Sequence, residues 1–287
     1  MSSEADTTSL AREERPEAEA RPAEVRSRRV TLITGASGGI GADLARVFAR
    51  HGHDLALVAR SGDKLEALAD ELTAAGTPRP LVIAADLTKA GAVAEVAAVL
   101  KAAGASPGIL VNNAGFGLLG EAFKLDAKEQ LAIADLNIRA VMEMTLTFLP
   151  AICAAQGKIL NVASVAGYFP GGPGMAAYYA SKAFLLSYSR ALHQELRGLG
   201  VTVSAVCPGY TATGFQMRAG INTRAALAQF PSTTALEVAE AGYKGLMAGR
   251  REIVPGFFNR LTVLLLPFLP KPLLLSIVSR LQKNRPL

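Results

Sequence analysis

Residues 28–41 read RRVTLITGASGGIG, and this stretch decides the architecture. Val30 to Ile33 form a nearly continuous apolar run, interrupted by Thr31, that ends at Thr34 in a turn built on Gly35, Gly38, Gly39 and Gly41. The following ADLARVFARHG repeats apolar positions at helical spacing. A turn from a buried strand into a helix needs glycine where φ is positive and where backbone must come close to a ligand. The helix end then offers free N–H groups and the positive end of its dipole to an anion such as a pyrophosphate. The spacing here is GxxxGxG. It differs from GxGxxG and from the phosphate loop GxxxxGK[ST], and no Lys follows it, which disfavours a nucleoside triphosphatase.

Outward from this turn the same alternation recurs. Apolar runs at 54–59 (DLALVA), 80–85 (PLVIAA), 108–113 (GILVNN), 157–164 (GKILNVAS) and 201–207 (VTVSAVC) are followed by turn residues. Helical stretches lie between them at 39–51, 63–75, 90–103, 127–150 and 177–199, with a last one at 236–248. Short runs of nearly continuous apolar character are expected for parallel strands covered on both faces. The pattern predicts an α/β fold over 29–256: a single Rossmann-like, doubly wound parallel sheet with helices on both faces, followed by a C-terminal helical extension at 257–287. Residues 1–28 mix Glu, Arg, Ala, Ser and Pro with almost no large apolar side chain, which predicts a disordered leader. That segment lacks the apolar stretch of a signal peptide, so a cytoplasmic location is expected.

With 287 residues, half of them hydrophobic, the chain can bury a large core. Its two cysteines, Cys153 and Cys207, form no CxxC and have no His at ligand spacing, so neither a metal site nor a disulfide framework is indicated. The net charge of +6 matters less than its location. From Ala241 to Leu287 eight Lys and Arg stand against Glu252 alone, a surplus of seven, which leaves the rest of the chain at −1. A near-neutral body argues against a nucleic-acid partner.

The second strand run ends Val58-Ala59-Arg60-Ser61, without the acid that would accept hydrogen bonds from an adenosine ribose. Arg60, supported by Ser37 in the glycine turn, suits a 2′-phosphate instead, so NADP(H) is preferred over NAD(H). Tyr178-Tyr179-Ala180-Ser181-Lys182 places a phenol and an ammonium at i and i+4, on one helix face. Tyr179 points about 100° away from that face. A phenol of pKa near 10 is a poor acid–base group at neutral pH unless a neighbouring cation lowers it, the role assigned to Lys182. Ser164, ending the fifth run, can hold a substrate oxygen beside that phenol.

Taken in order, these motifs resemble the short-chain dehydrogenase/reductase family: TGxxxGxG at Thr34–Gly41, Asp86-Leu87, Asn112-Asn113-Ala114-Gly115, Asn137, Ser164, Tyr178 with Lys182, and Pro208-Gly209. The resemblance covers about 29–256. It implies cofactor contacts at Gly35, Ser37, Gly39, Ile40, Gly41, Arg60, Asp86, Leu87, Asn113, Ala114, Gly115, Tyr178, Lys182, Pro208, Gly209 and Thr211. It also implies that Asn137 holds a water of a proton relay, while Asn112 fastens neighbouring strands. Asp86 or Thr88 can equally cap the next helix. Phe116, Tyr168-Phe169-Pro170 and Phe215 suggest an apolar substrate pocket, with 212–232, including Met217, Ile221 and Phe230, as its lid. Cys207 reads as a small buried hydrophobe, and His51, His53 and His193 as structural.

These readings converge on a carbonyl reductase or alcohol dehydrogenase for a small-molecule apolar carbonyl or alcohol, acting as a homo-oligomer. A long-chain ketoacyl reductase and a cofactor-binding regulator are the alternatives. In the extension, Pro267, Pro270 and Pro272 interrupt the apolar run, which argues against a span. Leu274, Ile277, Val278 and Leu281 form an apolar stripe on a basic helix. That stripe either covers the domain or a sister subunit, the favoured reading, or makes peripheral contact with a membrane.

Overall fold

The computed structural model describes residues 27–220 and 232–283. Residues 1–26 of the expected leader and the lid residues Ile221 and Phe230 fall outside the described residues, and Arg28, expected in the leader, already belongs to the first strand. Seven parallel strands form one sheet in the order β3-β2-β1-β4-β5-β6-β7. They are β1 Arg28–Thr34, β2 Leu55–Ala59, β3 Leu81–Ala84, β4 Ala105–Asn112, β5 Lys158–Val162, β6 Thr202–Val206 and β7 Glu252–Ile253. Six of them lie on the apolar runs of the sequence. At two residues, β7 is too short to carry a pattern.

Successive strand residues point to opposite faces, and each face has its own core. On one side Leu32, Val58, Leu110 and Ile159 pack against helices α3 (Ala92–Ala102), α5 (Ala140–Ala154) and α6 (Ala176–Leu196). On the other side Ile33, Leu57, Val111 and Leu160 pack against α1 (Gly39–Arg50), α2 (Gly62–Ala74) and α8 (Ala235–Met247). The fold is therefore the doubly wound sheet that continuous apolar strands require.

The helix expected at 127–150 is three pieces: α4 (Ala127–Ala134), a π-helical turn over Asp135–Arg139, and α5. By length and composition 127–154 could cross a membrane. It is a core helix here, since Val141, Met144, Phe148 and Ile152 are buried against the domain. A short helix, α7 (Gly214–Ala219), follows β6. The extension forms α9 (Phe257–Leu265) and α10 (Lys271–Lys283), joined by a 3-10 turn over Leu266–Phe268. The prolines that rule out a continuous span fall at this junction.

Candidate active site

β1 neighbours β2 on one side and β4 on the other, so the chain leaves the sheet in opposite directions there and opens a crevice at the strands' carboxyl ends. Gly35 has φ of +67°, and a Cβ on Gly41 would run into the Gly35 carbonyl oxygen. Thr34 joins the two strand ends: its Oγ1 donates to the Val111 carbonyl at 3.2 Å and accepts from the Asn113 and Ala114 amides at 3.0 Å each. Asn113 Nδ2 donates back to the Thr34 and Gly35 carbonyls at 2.9 and 3.1 Å. The glycine turn and the NNAG turn thus form one braced floor.

A cavity of about 1140 Å³ runs over that floor. Gly35, Ser37, Gly39 and Ile40 line one part of it, with Arg60 just past β2 and Lys64 in the first turn of α2. Asp86 and Leu87 follow, then Asn113, Ala114 and Gly115. Ser164, Tyr178 and Lys182 line it as well, with Pro208, Gly209 and Thr211 beside Ser164 at the end of the neighbouring strand β6. Phe116, Phe169 and Phe215 line the remaining apolar part. Gly41 and Asn137 do not line the cavity.

Lys182 is buried, and its ammonium donates to the Val162 carbonyl at 2.8 Å. Its nitrogen lies 5.8 Å from the centre of the Tyr178 ring. Burial lowers the ammonium pKa to about 8, against a smaller opposing influence of Cys207. Ser164 Oγ accepts from the Ala166 amide at 3.2 Å and reaches the Pro208 carbonyl at 3.4 Å, which fixes the hydroxyl at the end of β5. A Cβ on Gly115 would sit 3.0 Å from Asn137 Oδ1 and 3.6 Å from Lys182 Nζ, so only a glycine leaves that part of the floor open. The cavity, its glycine floor and Arg60 on its lining fit a dinucleotide.

The side chain of Asn137 is engaged by protein. Its Oδ1 accepts from the Phe116 amide at 3.1 Å, and its Nδ2 donates to the Phe116 carbonyl at 2.9 Å and to Ser181 Oγ at 3.0 Å. It straps the loop after β4 to α6. Asn112, expected to fasten strands, donates to Asn161 Oδ1 at 2.9 Å and to Thr145 Oγ1 at 3.2 Å.

Three local readings change. Asp86 caps no helix: α3 begins at Ala92, and Asp86 Oδ1 instead accepts from the Thr88 amide and hydroxyl at 3.1 and 2.8 Å. Burial raises the Asp86 pKa, but the Thr88 hydrogen bonds, with Arg60 and Lys89, outweigh it and hold the carboxyl below its usual value. Tyr168 leaves the pocket, because a 3-10 turn over Val165–Tyr168 carries its hydroxyl to Glu252 at 2.6 Å. Tyr179 borders the same cavity as Tyr178, because the first turn of α6 projects into it.

Cys207 is buried and its thiol is pushed up to about 12, chiefly by desolvation, so it remains protonated. His51 stacks on Tyr243 at 4.1 Å, and His193 Nδ1 meets the Val203 carbonyl at 2.7 Å. Sequence reasoning missed the far wall. Leu274, Ile277, Val278, Leu281 and Gln282 of α10, with Phe258, Leu265 and Leu266 before it, line the cavity. The signal was present in the apolar stripe at 274, 278 and 281; the surface it covers was not.

Among the solved structures similar to this chain are the following three. A short-chain dehydrogenase from Sphingobium yanoikuyae in complex with NADPH has a TM-score of 0.73 and 34% identity, over 82% of this chain and 92% of that one. The bulky-bulky ketone specific alcohol dehydrogenase from Comamonas testosteroni has a TM-score of 0.68 and 32% identity, over 81% and 90%. A short chain dehydrogenase/reductase from Burkholderia phymatum in complex with NAD has a TM-score of 0.73 and 28% identity, over 84% and 93%. The short chain dehydrogenase family model matches residues 29–224, the span that carries the glycine turn, the NNAG turn and the Tyr178–Lys182 pair. The chain belongs to the short-chain dehydrogenase family, as an oxidoreductase of CH–OH and C=O groups that uses a nicotinamide cofactor.

Proposed function

We propose that the protein is an NADP(H)-dependent carbonyl reductase, or in reverse an alcohol dehydrogenase, for a bulky apolar ketone or secondary alcohol. One observation carries this reading: a single cavity joins the glycine turn and Arg60 to Tyr178 and Lys182, and continues past them between apolar walls. NADPH, when bound, supplies the hydride that the carbonyl carbon accepts.

The chain's own residues do the rest. Arg60, with Ser37 and Lys64 near it, offers a fork and hydroxyl to a 2′-phosphate, and no acid at the end of β2 opposes that charge. Ser164 holds the substrate oxygen and Tyr178 gives it the proton during reduction, or takes one from the alcohol in reverse. Lys182 places positive charge next to the phenol and lowers the energy of the phenolate. Asn137 keeps the Phe116 loop and Ser181 in register beside Lys182, at the inner end of the proton path. Phe116, Phe169 and Phe215 exclude water and favour apolar substituents.

The test is Tyr178→Phe, assayed with NADPH and NADH on a panel of small and bulky ketones and of 3-ketoacyl thioesters. Loss of at least about 10²-fold in kcat with unchanged NADPH affinity is expected, the ordinary scale of a lost general acid. Normal turnover overturns the assignment of Tyr178. Preference for ketoacyl thioesters over ketones moves the substrate class and leaves the chemistry intact.

A further inference from the structure

The outward face of the C-terminal extension is apolar. Phe257, Leu264 and Phe268 are 73%, 66% and 79% exposed, and none of them lines the cavity. Phe258, Leu265, Leu269, Ile277 and Leu281 are exposed as well, yet these five also line the cavity. Five apolar side chains therefore belong to both the exterior of the extension and the wall of the cavity. A contiguous patch of this kind marks an interaction surface.

Charge narrows the partner. From Ile253 to Leu287 there is no Asp or Glu, while Arg260, Lys271, Arg280, Lys283 and Arg285 are basic. In an isologous contact with a second copy these cations would face one another with no acid in the segment to pair them. An anionic lipid surface has the opposite charge and an apolar interior beneath it. Short amphipathic helices with basic flanks lie in such an interface with their apolar face at the headgroup–acyl boundary. Neither α9, with nine residues, nor α10, with thirteen, is long enough to cross the bilayer.

We propose that α9 and α10 seat this face on an anionic membrane surface, so that the cavity mouth opens at the hydrocarbon boundary and an apolar carbonyl substrate enters from the lipid. The second clause rests on the proposed reductase reading; the first does not, and it is tested without substrate. Full-length protein is sedimented with phosphatidylcholine vesicles, with and without phosphatidylglycerol. Strong recovery with the anionic vesicles is expected, reduced at least tenfold on neutral vesicles and weakened by salt.

Phe257→Ser, Leu264→Ser and Phe268→Ser combined should lower recovery at least tenfold, with thermal unfolding and NADPH affinity unchanged. Lys271→Gln with Arg280→Gln, two exposed cations away from the cavity wall, should weaken recovery on anionic vesicles and leave the neutral ones unaffected. Wild-type protein remaining in the supernatant with both vesicle types overturns the proposal. So does equal recovery of wild type and both variants. A dimer in solution that the triple variant converts to monomer, without any vesicle recovery, assigns the face to a second copy and also overturns it.

Discussion

At the scale of single residues the site turns on an ammonium that is largely withdrawn from water. Lys182 has one hydrogen-bond acceptor in the Val162 carbonyl, too little to replace its hydration, and burial brings its pKa from 10.5 to about 8. Below about pH 8 the side chain is charged in both folded and unfolded chains, and the burial penalty is present in full. Between about pH 8 and 10.5 the unfolded chain still binds the proton that the folded chain has released, so stability rises with pH in that window. The urea midpoint of the wild type should therefore climb relative to Lys182→Met from pH 8 to 10.5; a constant difference would show that the folded protein keeps this proton. Arg60 makes a separate prediction, since it is exposed and its work is electrostatic. Arg60→Ala should raise the KM for NADPH at least tenfold and leave that for NADH within about twofold, and an equal change in both would remove its role in cofactor choice. The Tyr178–Lys182 pair was legible in the sequence because helical spacing alone puts both groups on one face. The depth of Lys182 was not, because it depends on β5 and β6 packing over the helix from distant parts of the chain. Asn137 was readable as an anomaly in a helix, but its partners, the Phe116 backbone and Ser181, were visible only in three dimensions.

At the scale of elements, polar ties hold the sheet to its helices behind the site. Asn161 on β5 accepts from Asn112 of β4 at 2.9 Å and donates to Ser189 of α6 at 2.8 Å, and all three are buried. The tie sets the depth at which α6 carries Tyr178 and Lys182. Asn161→Ala leaves the Asn112 amide one partner short in a dry interior, while Ser189 still donates to the Leu185 carbonyl. A loss of about 2 kcal/mol is expected, the usual penalty for a buried unpaired polar group, measurable by chemical denaturation. A change below about 0.5 kcal/mol would mean that water or a side-chain shift replaces the bond. Six strands and the flanking helices were readable, because continuous apolar runs alternating with amphipathic ones leave few other arrangements. The π turn at Asp135–Arg139 was not. Its residues have helical character throughout, and nothing in their spacing marks the change of register.

At the scale of the whole molecule, residues 258–282 complete a site whose other parts come from residues 35–218. α10 packs across the open side of the cavity, where Gln282 Nε2 meets the Tyr179 hydroxyl at 3.4 Å and Leu274 and Val278 turn inward. A helix that both seals and shapes a cavity should be dispensable for cofactor binding and needed for substrate selection, because the glycine turn and Arg60 lie at the other end. Ending the chain after Pro270 tests that division. α10 buries only two large apolar side chains, Leu274 at 5% and Val278 at 2% exposure, together worth about 3 to 6 kcal/mol. A domain stable by about 5 to 15 kcal/mol can lose that and still fold, with a lowered melting temperature. The truncated protein should bind NADPH as the full chain does and reduce a small water-soluble ketone at a similar rate. Its KM for a bulky apolar ketone should rise at least tenfold as the wall formed by Leu274, Ile277, Val278 and Leu281 is lost. An unchanged KM for the bulky ketone would mean that the substrate lies against Phe116, Phe169 and Phe215 alone, and that α10 covers the cavity without touching what it holds.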